Sequence, residues 1–123
     1  MQHSYFGYKE IDGKWRLVQD LRIINKAVVP LHSMVPNPYT LLSEIPERAK
    51  YFSVIDLKDA FYSVLLVEES QFLFAFEDLT QSASPLTWTV LPQGFRDSPH
   101  LFGQSLSWDL QNFNSSEAVV LQY

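Results

Sequence analysis

The stretch FSVIDLKDAFYSV, residues 52–64, decides how the rest of the chain is read. Its opening, with Tyr51 in front, is an apolar run rich in aromatic and β-branched side chains, which predicts a strand over 51–55. A second run, YSVLLV (62–67), predicts another strand. The intervening DLKDAF (56–61) is too short for an ordinary helix and predicts a tight turn. Asp56 thus closes an apolar strand, where an ionised carboxylate must be paired, hydrogen-bonded or bound to a metal. Taken alone it is a structural cap or a metal ligand. Asp59 either caps the turn or joins Asp56 at one ion, and the latter needs both carboxylates aimed at one point.

Working outward, WRLVQD (15–20) alternates loosely and predicts a strand. Pro30, Pro36 and Pro38 interrupt regular structure, so 32–38 reads as extended connecting chain. Residues 39–47 hold one or two helical turns that end near Pro46. QFLFAFE (71–77) suits a strand and 78–84 a polar loop. TWTVL (87–91) has β composition and runs into the turn Pro92-Gln93-Gly94-Phe95. Ser98-Pro99 then supplies an N-cap and a first-turn proline. Phe102, Leu106, Leu110 and Phe113 follow at helical spacing, predicting an amphipathic helix over 98–113. EAVVLQY (117–123) starts one more strand. The element order describes an α+β layer.

With 123 residues, 46% of them hydrophobic and 15% aromatic, the chain can bury one core, so intrinsic disorder is excluded. The absence of cysteine excludes a disulfide scaffold and a thiolate zinc site. No 18-residue apolar run and no secretory start occur, which predicts an intracellular chain with no membrane partner. The net charge of −5 argues against nucleic acid as partner, yet it is unevenly spread. Residues 1–50 carry seven Lys and Arg against five Asp and Glu, and residues 51–123 two against nine. Lys9, Lys14, Arg16, Arg22 and Lys26 form the basic cluster, which is either a phosphate-facing lobe or a solvated face. Gly94 lets backbone approach a ligand closely, although most such turns are only turns. His3, His32 and His100 are scattered, with no partner at metal spacing.

Taken in order, the segments WRLVQDLRIINK (15–26), VPNPYTLLSEIP (35–46), FSVIDLKDAFYSV (52–64), FLFAF (72–76) and LTWTVLPQGFRDSPHLFGQSL (86–106) carry more than any of them alone. From Tyr8 onward the chain resembles the reverse transcriptase domain of retroviral polymerases, closest to the gammaretrovirus-like group of endogenous retroviruses. Residues 1–7 do not resemble it. The resemblance implies an α+β fold, with 8–123 forming the fingers and an incomplete palm, and a mixed or antiparallel sheet packed on helices.

By resemblance, Asp56 looks like the first of three catalytic aspartates and a metal ligand. Asp59 and Ala60 look like positions whose backbone N–H groups receive the triphosphate. Phe61 looks like the aromatic gate that excludes a ribose 2′-hydroxyl. Arg16 and Lys9 look like the fingers residues on the β- and γ-phosphates, and Gln93 like the glutamine beside the sugar and template. The implied cofactor is Mg²⁺ or Mn²⁺, used as an ion pair about 3.5–4 Å apart. The implied partners are an RNA or DNA template-primer and a deoxynucleoside triphosphate. In the family a strand like 117–123 runs into a Tyr-x-Asp-Asp turn that completes the metal cage, and Tyr123 matches its tyrosine. The expectation is therefore a polymerase fragment that does not polymerise by itself, and whose unpaired last strand offers an edge to another protein.

Overall fold

The computed structural model describes residues 5–32, 36–77 and 84–123. The polar loop expected over 78–84 therefore lies, but for Ser84, outside the described residues, as do His3 and part of the 32–38 connection.

A two-stranded antiparallel hairpin opens the fold, with β1 (Tyr5–Lys9) against β2 (Trp15–Gln19). Its turn is closed by Glu10 N–H to Lys14 C=O at 2.8 Å and Gly13 N–H to Glu10 C=O at 2.9 Å. Gly13 sits at φ 85°, a conformation that glycine adopts without penalty. The Asp12 carboxylate accepts from Lys14 N–H at 3.1 Å, which tightens the same turn. Strand β2 was expected. Strand β1 was not, because YFGYK has a glycine at its centre and becomes a strand through pairing rather than propensity.

Helix α1 (Arg22–Ala27) follows at once, and the Asp20 carboxylate accepts from Arg22 N–H at 3.1 Å in its first turn. Leu21 and Ile24 drop from this segment into the core against Phe74, and Val28, Leu66, Trp88 and Phe95 pack around them. Helix α2 (Pro38–Ser43) matches the expected short helix, with the Asn37 side chain accepting from Tyr39 N–H at 2.9 Å.

The strands expected in the middle of the chain form differently. Residues 51–57 join no ladder among the described residues, and Tyr51 and Val54 are 93% and 99% exposed. Apolar, β-prone composition makes a strand only where a partner edge is present, and none meets this segment. Over 62–67 a 3₁₀ turn (Ala60–Ser63) leads to a single bridge, Leu65 opposite Val90. Leu66 N–H bonds Thr89 C=O at 2.8 Å and Leu91 N–H bonds Val64 C=O at 3.0 Å. Over 71–77 the chain turns helical, as α3 (Glu68–Gln71) and a 3₁₀ turn (Phe72–Phe74), before Phe76 pairs with Leu86. Glu68 and Glu69 in the first turn favour that helix through its dipole, and the turn delivers Phe74 to the core. Among the described residues, 117–123 pair with no strand, and the Gln122 side chain instead donates to Gly103 C=O at 2.9 Å.

Helix α4 (Ser98–Gln111) is the long helix expected, two residues shorter at its end. Its cap differs. Asp97 is the capping position and makes no side-chain cap bond, while the buried Ser98 hydroxyl donates to Pro92 C=O at 3.0 Å. Pro99 in the first turn has no N–H that needs a capping acceptor, and the Ser98 hydroxyl holds the preceding turn instead.

The buried Gln19 joins these pieces. Its amide nitrogen donates to Phe74 C=O at 3.1 Å, and its amide oxygen accepts from the Trp88 indole at 2.8 Å. Replacing Gln19 by leucine keeps the volume but strands a buried carbonyl and an indole N–H. We expect Gln19→Leu to lower stability by about 2–3 kcal/mol, read from the urea midpoint with unchanged slope. A loss within experimental error would show that Gln19 is not the tie between β2 and the core.

Candidate functional site

An open cleft of about 400 Å³ is lined by Arg16 from β2, residues 56–61, and Gln93 from the 92–96 turn. Six of the seven residues singled out from the sequence line it: Arg16, Asp56, Asp59, Ala60, Phe61 and Gln93. Lys58 and Leu57 complete the wall, and sequence reasoning missed both. The signal for Lys58 was its place inside DLKDAF, between two carboxylates already picked out.

The turn that makes the cleft is built at Asp59, whose φ of 53° and ψ of 33° are left-handed. Among the described residues it is the one non-glycine with positive φ. Aspartate tolerates that conformation better than most side chains, and the chain reverses there into the 3₁₀ turn, with Tyr62 N–H bonding Asp59 C=O at 2.9 Å. Two aromatic contacts then fix the turn from behind. The Phe61 ring meets Phe102 of α4 edge-on at 6.0 Å, and the Tyr62 ring stacks on Trp88 at 5.7 Å. The Asp56 and Asp59 side chains are exposed.

Gln93 is placed by a clamp from α1. Asn25 donates from its amide to Gly94 C=O at 2.9 Å and accepts from Arg96 N–H at 2.9 Å. The Arg96 guanidinium donates to Val28 C=O at 2.9 Å, so both sides of the turn are held. Gly94, at φ 88°, permits the reversal.

Lys9 does not line the cleft. In the hairpin register Lys9 pairs with Trp15 and Tyr8 pairs with Arg16, so strand alternation sends Lys9 to the face opposite Arg16. The basic cluster is also less free than its composition suggested. Lys14 pairs with Asp12 at 3.2 Å, Arg22 forms a two-point contact with Asp20, and Arg16 forms an ion pair with Glu10. The Asp20 contact holds the Arg22 guanidinium above its ordinary pKa. Among the described residues no three His, Asp or Glu side chains gather as a metal cage, and no helix is long and apolar enough to cross a membrane.

A family profile described as reverse transcriptase (RNA-dependent DNA polymerase) matches residues 8–123. The chain belongs to the reverse transcriptase family. It is 52% identical over 115 residues to the Gag-Pol polyprotein of avian reticuloendotheliosis virus, covering 89% of this chain and 10% of that one. To the Gag-Pol polyprotein of koala retrovirus it is 49% identical over 114 residues, covering 89% and 7%. The reverse transcriptase chain thus spans about a tenth of the length of these relatives. Among solved structures, a foamy viral protease-reverse transcriptase in complex with double-stranded DNA superposes with TM-score 0.70 at 35% identity, covering 91% of this chain and 19% of that one. The native prototype foamy virus protease-reverse transcriptase gives TM-score 0.70 at 31% identity, covering 94% and 15%. The expected α+β fold is therefore that of part of a reverse transcriptase, and the gammaretrovirus-like kinship holds.

Next to the cleft, the Tyr62 phenol is shifted from its ordinary value. Partial burial raises the Tyr62 phenol, with the Arg16 charge opposing and Asp59 assisting. A raised folded-state value means that the stabilising contribution is present below about pH 10, the unfolded value, and is lost as pH rises through the folded one. Tyr62→Phe should therefore flatten the alkaline fall of the melting temperature above about pH 10 relative to the parent chain. Parallel alkaline limbs for the two proteins would count against this placement of the phenol.

Proposed function

We propose that residues 8–123 are the fingers and part of the palm of an RNA-directed DNA polymerase, and that the cleft takes a deoxynucleoside triphosphate beside a template-primer of RNA or DNA. The observation that carries this is the convergence of Arg16, Asp56, Asp59, Ala60, Phe61 and Gln93 on one cleft from three separate parts of the chain. The foamy viral enzyme bound to double-stranded DNA supports a nucleic-acid partner by kinship.

Each side chain then has work suited to its chemistry. Arg16 presents a planar guanidinium to phosphate oxygens, which it can hold at two points. The N–H groups that open the 3₁₀ turn at Asp59 and Ala60 have no partner within the helix and are available to phosphate. Phe61, braced by Phe102, is a rigid wall that discriminates sugars by volume. Gln93 offers a donor and an acceptor to the sugar and template side. The carboxylates of Asp56 and Asp59 are hard oxygen donors and fit Mg²⁺ or Mn²⁺, which binds through one or two carboxylates together with waters and substrate phosphate. When bound, such an ion neutralises charge on the phosphates and lowers the barrier to their displacement.

Two carboxylates of one turn do not make the cage of a two-ion polymerase site, so the 123-residue chain by itself does not extend a primer. Primer extension with the four deoxynucleoside triphosphates and Mg²⁺ or Mn²⁺ should give no incorporation. Product that disappears in Asp56→Asn would overturn that. Nucleotide binding is separable from turnover: Arg16→Gln should weaken dTTP binding by about tenfold or more, as expected for loss of a charge-assisted bond. Equal affinities for parent and variant would remove Arg16 from the site.

A second reading has its own support. Tyr51, Phe52, Val54 and Ile55 are exposed and unpaired, as are Val119 and Val120, and such a surface suits strand-edge pairing with another protein. Binding to nucleic acid must weaken steeply with salt, whereas apolar pairing must not, so a salt series separates the two. An intracellular location and descent from an endogenous retrovirus belong to the same proposal.

A further inference from the structure

Arg16 does not stand alone in the cleft. In the hairpin register Tyr8 lies opposite Arg16 and Lys9 opposite Trp15, so Glu10 extends β1 on the same face as Arg16, as its diagonal neighbour. The backbone of Glu10 is fixed independently of its side chain, by the bonds to Lys14 C=O at 2.8 Å and from Gly13 N–H at 2.9 Å. From this rigid turn its carboxylate reaches the Arg16 guanidinium at Nε. Both side chains stay partly open to solvent, Glu10 at 30% and Arg16 at 47%, so the pair can be opened without exposing a buried charge. The other charged residues of the wall, Lys58, Asp56 and Asp59, balance to −1 without Arg16, and Glu10 takes the arginine's charge out of that balance.

We propose that Glu10 is an affinity-setting counter-ion: its carboxylate occupies the Arg16 guanidinium in the free chain, and an incoming triphosphate must compete with it. This rests on the nucleotide reading of the cleft. Glu10 thereby discriminates by charge, since a ligand displaces it only with several anionic oxygens. A monophosphate, with fewer, gains less from the exchange. The neighbouring Asp12, on the same turn, is engaged with Lys14 and does not take part.

The test is calorimetric titration of the 123-residue chain with dTTP and, separately, inorganic triphosphate, Mg²⁺ being present throughout. Parent, Glu10→Gln, Glu10→Ala, Asp12→Asn and Arg16→Gln are compared, with folding of each checked by circular dichroism. Both Glu10 variants should bind about three- to tenfold more tightly at low salt, with the advantage shrinking as salt screens the pair. Asp12→Asn should match the parent, and Glu10→Gln combined with Arg16→Gln should bind no better than Arg16→Gln alone. Weaker binding in the Glu10 variants would overturn the proposal, because it would make Glu10 a support for Arg16. Equal tightening by Asp12→Asn would overturn it in favour of general charge. If the parent binds through Arg16 but Glu10→Gln changes nothing, the proposal falls and the nucleotide reading survives. Absence of binding in every variant sinks both.

Discussion

The buried amide of Gln19 is the constraint on which the rest depends. It lies at the end of β2 and uses both of its polar ends, one on Phe74 C=O and one on the Trp88 indole. Few side chains could replace it, because the site asks for a donor and an acceptor at fixed positions in a place where neither can be left unpaired. Strand alternation then sets the next step. Arg16, three residues earlier, falls on the opposite face of β2 from Gln19, away from the core and toward the 56–61 turn. Trp88, held by the same amide, stacks on Tyr62 and so positions the turn that carries Phe61. Phe74 packs against Phe95, just beyond Gln93. Each wall of the cleft is thus a short step from one buried side chain.

That economy explains why a small core is enough to shape a site. The residues in contact around Leu21, Ile24 and Phe74 are few, yet they come from α1 and its flanks, Leu66, the 3₁₀ turn Phe72–Phe74 and the 88–95 segment. The Asn25 clamp adds a second connection between α1 and the turn bearing Gln93. Neither connection uses residues 51–55, where Tyr51, Phe52, Val54 and Ile55 are all exposed. Asp56 is therefore located by the turn that follows it rather than by the segment before it. The left-handed Asp59 and the Phe61–Phe102 and Tyr62–Trp88 contacts hold that turn.

How much of this was legible in the sequence follows from the range of the forces involved. Helix α4 was readable because its apolar spacing and proline start act locally, and β2 because its composition suits a half-covered strand. The part of the cleft wall at 56–61 was readable through the short turn between two apolar runs that carries Asp56 and Asp59. The strand expected over 71–77 was misread because Phe72, Leu73 and Phe74 look β-prone, while the glutamates before them and the burial of Phe74 select a helical turn. The strands over 51–55 and 117–123 failed for a different reason: composition cannot report whether a partner edge arrives. Lys9 was grouped with Arg16 on sequence order, and a one-residue step in a strand separates them by a whole face.

The same pairing rule accounts for the electrostatics. Composition gave residues 1–50 a positive balance, but the hairpin and α1 bring carboxylates against Lys14, Arg16 and Arg22, so the lobe is a set of local pairs rather than a free anion surface. With Glu10 counted, three carboxylates face two cations around the cleft. On the proposed nucleotide reading, a bare triphosphate would find little net attraction in such a place, whereas one already carrying a divalent cation would meet carboxylates for the metal and cations for the phosphates. Under the proposed nucleotide reading, mixed charge would act as a selection rule, suiting a ligand whose own charges alternate in the same way, such as a nucleoside triphosphate carrying a divalent cation.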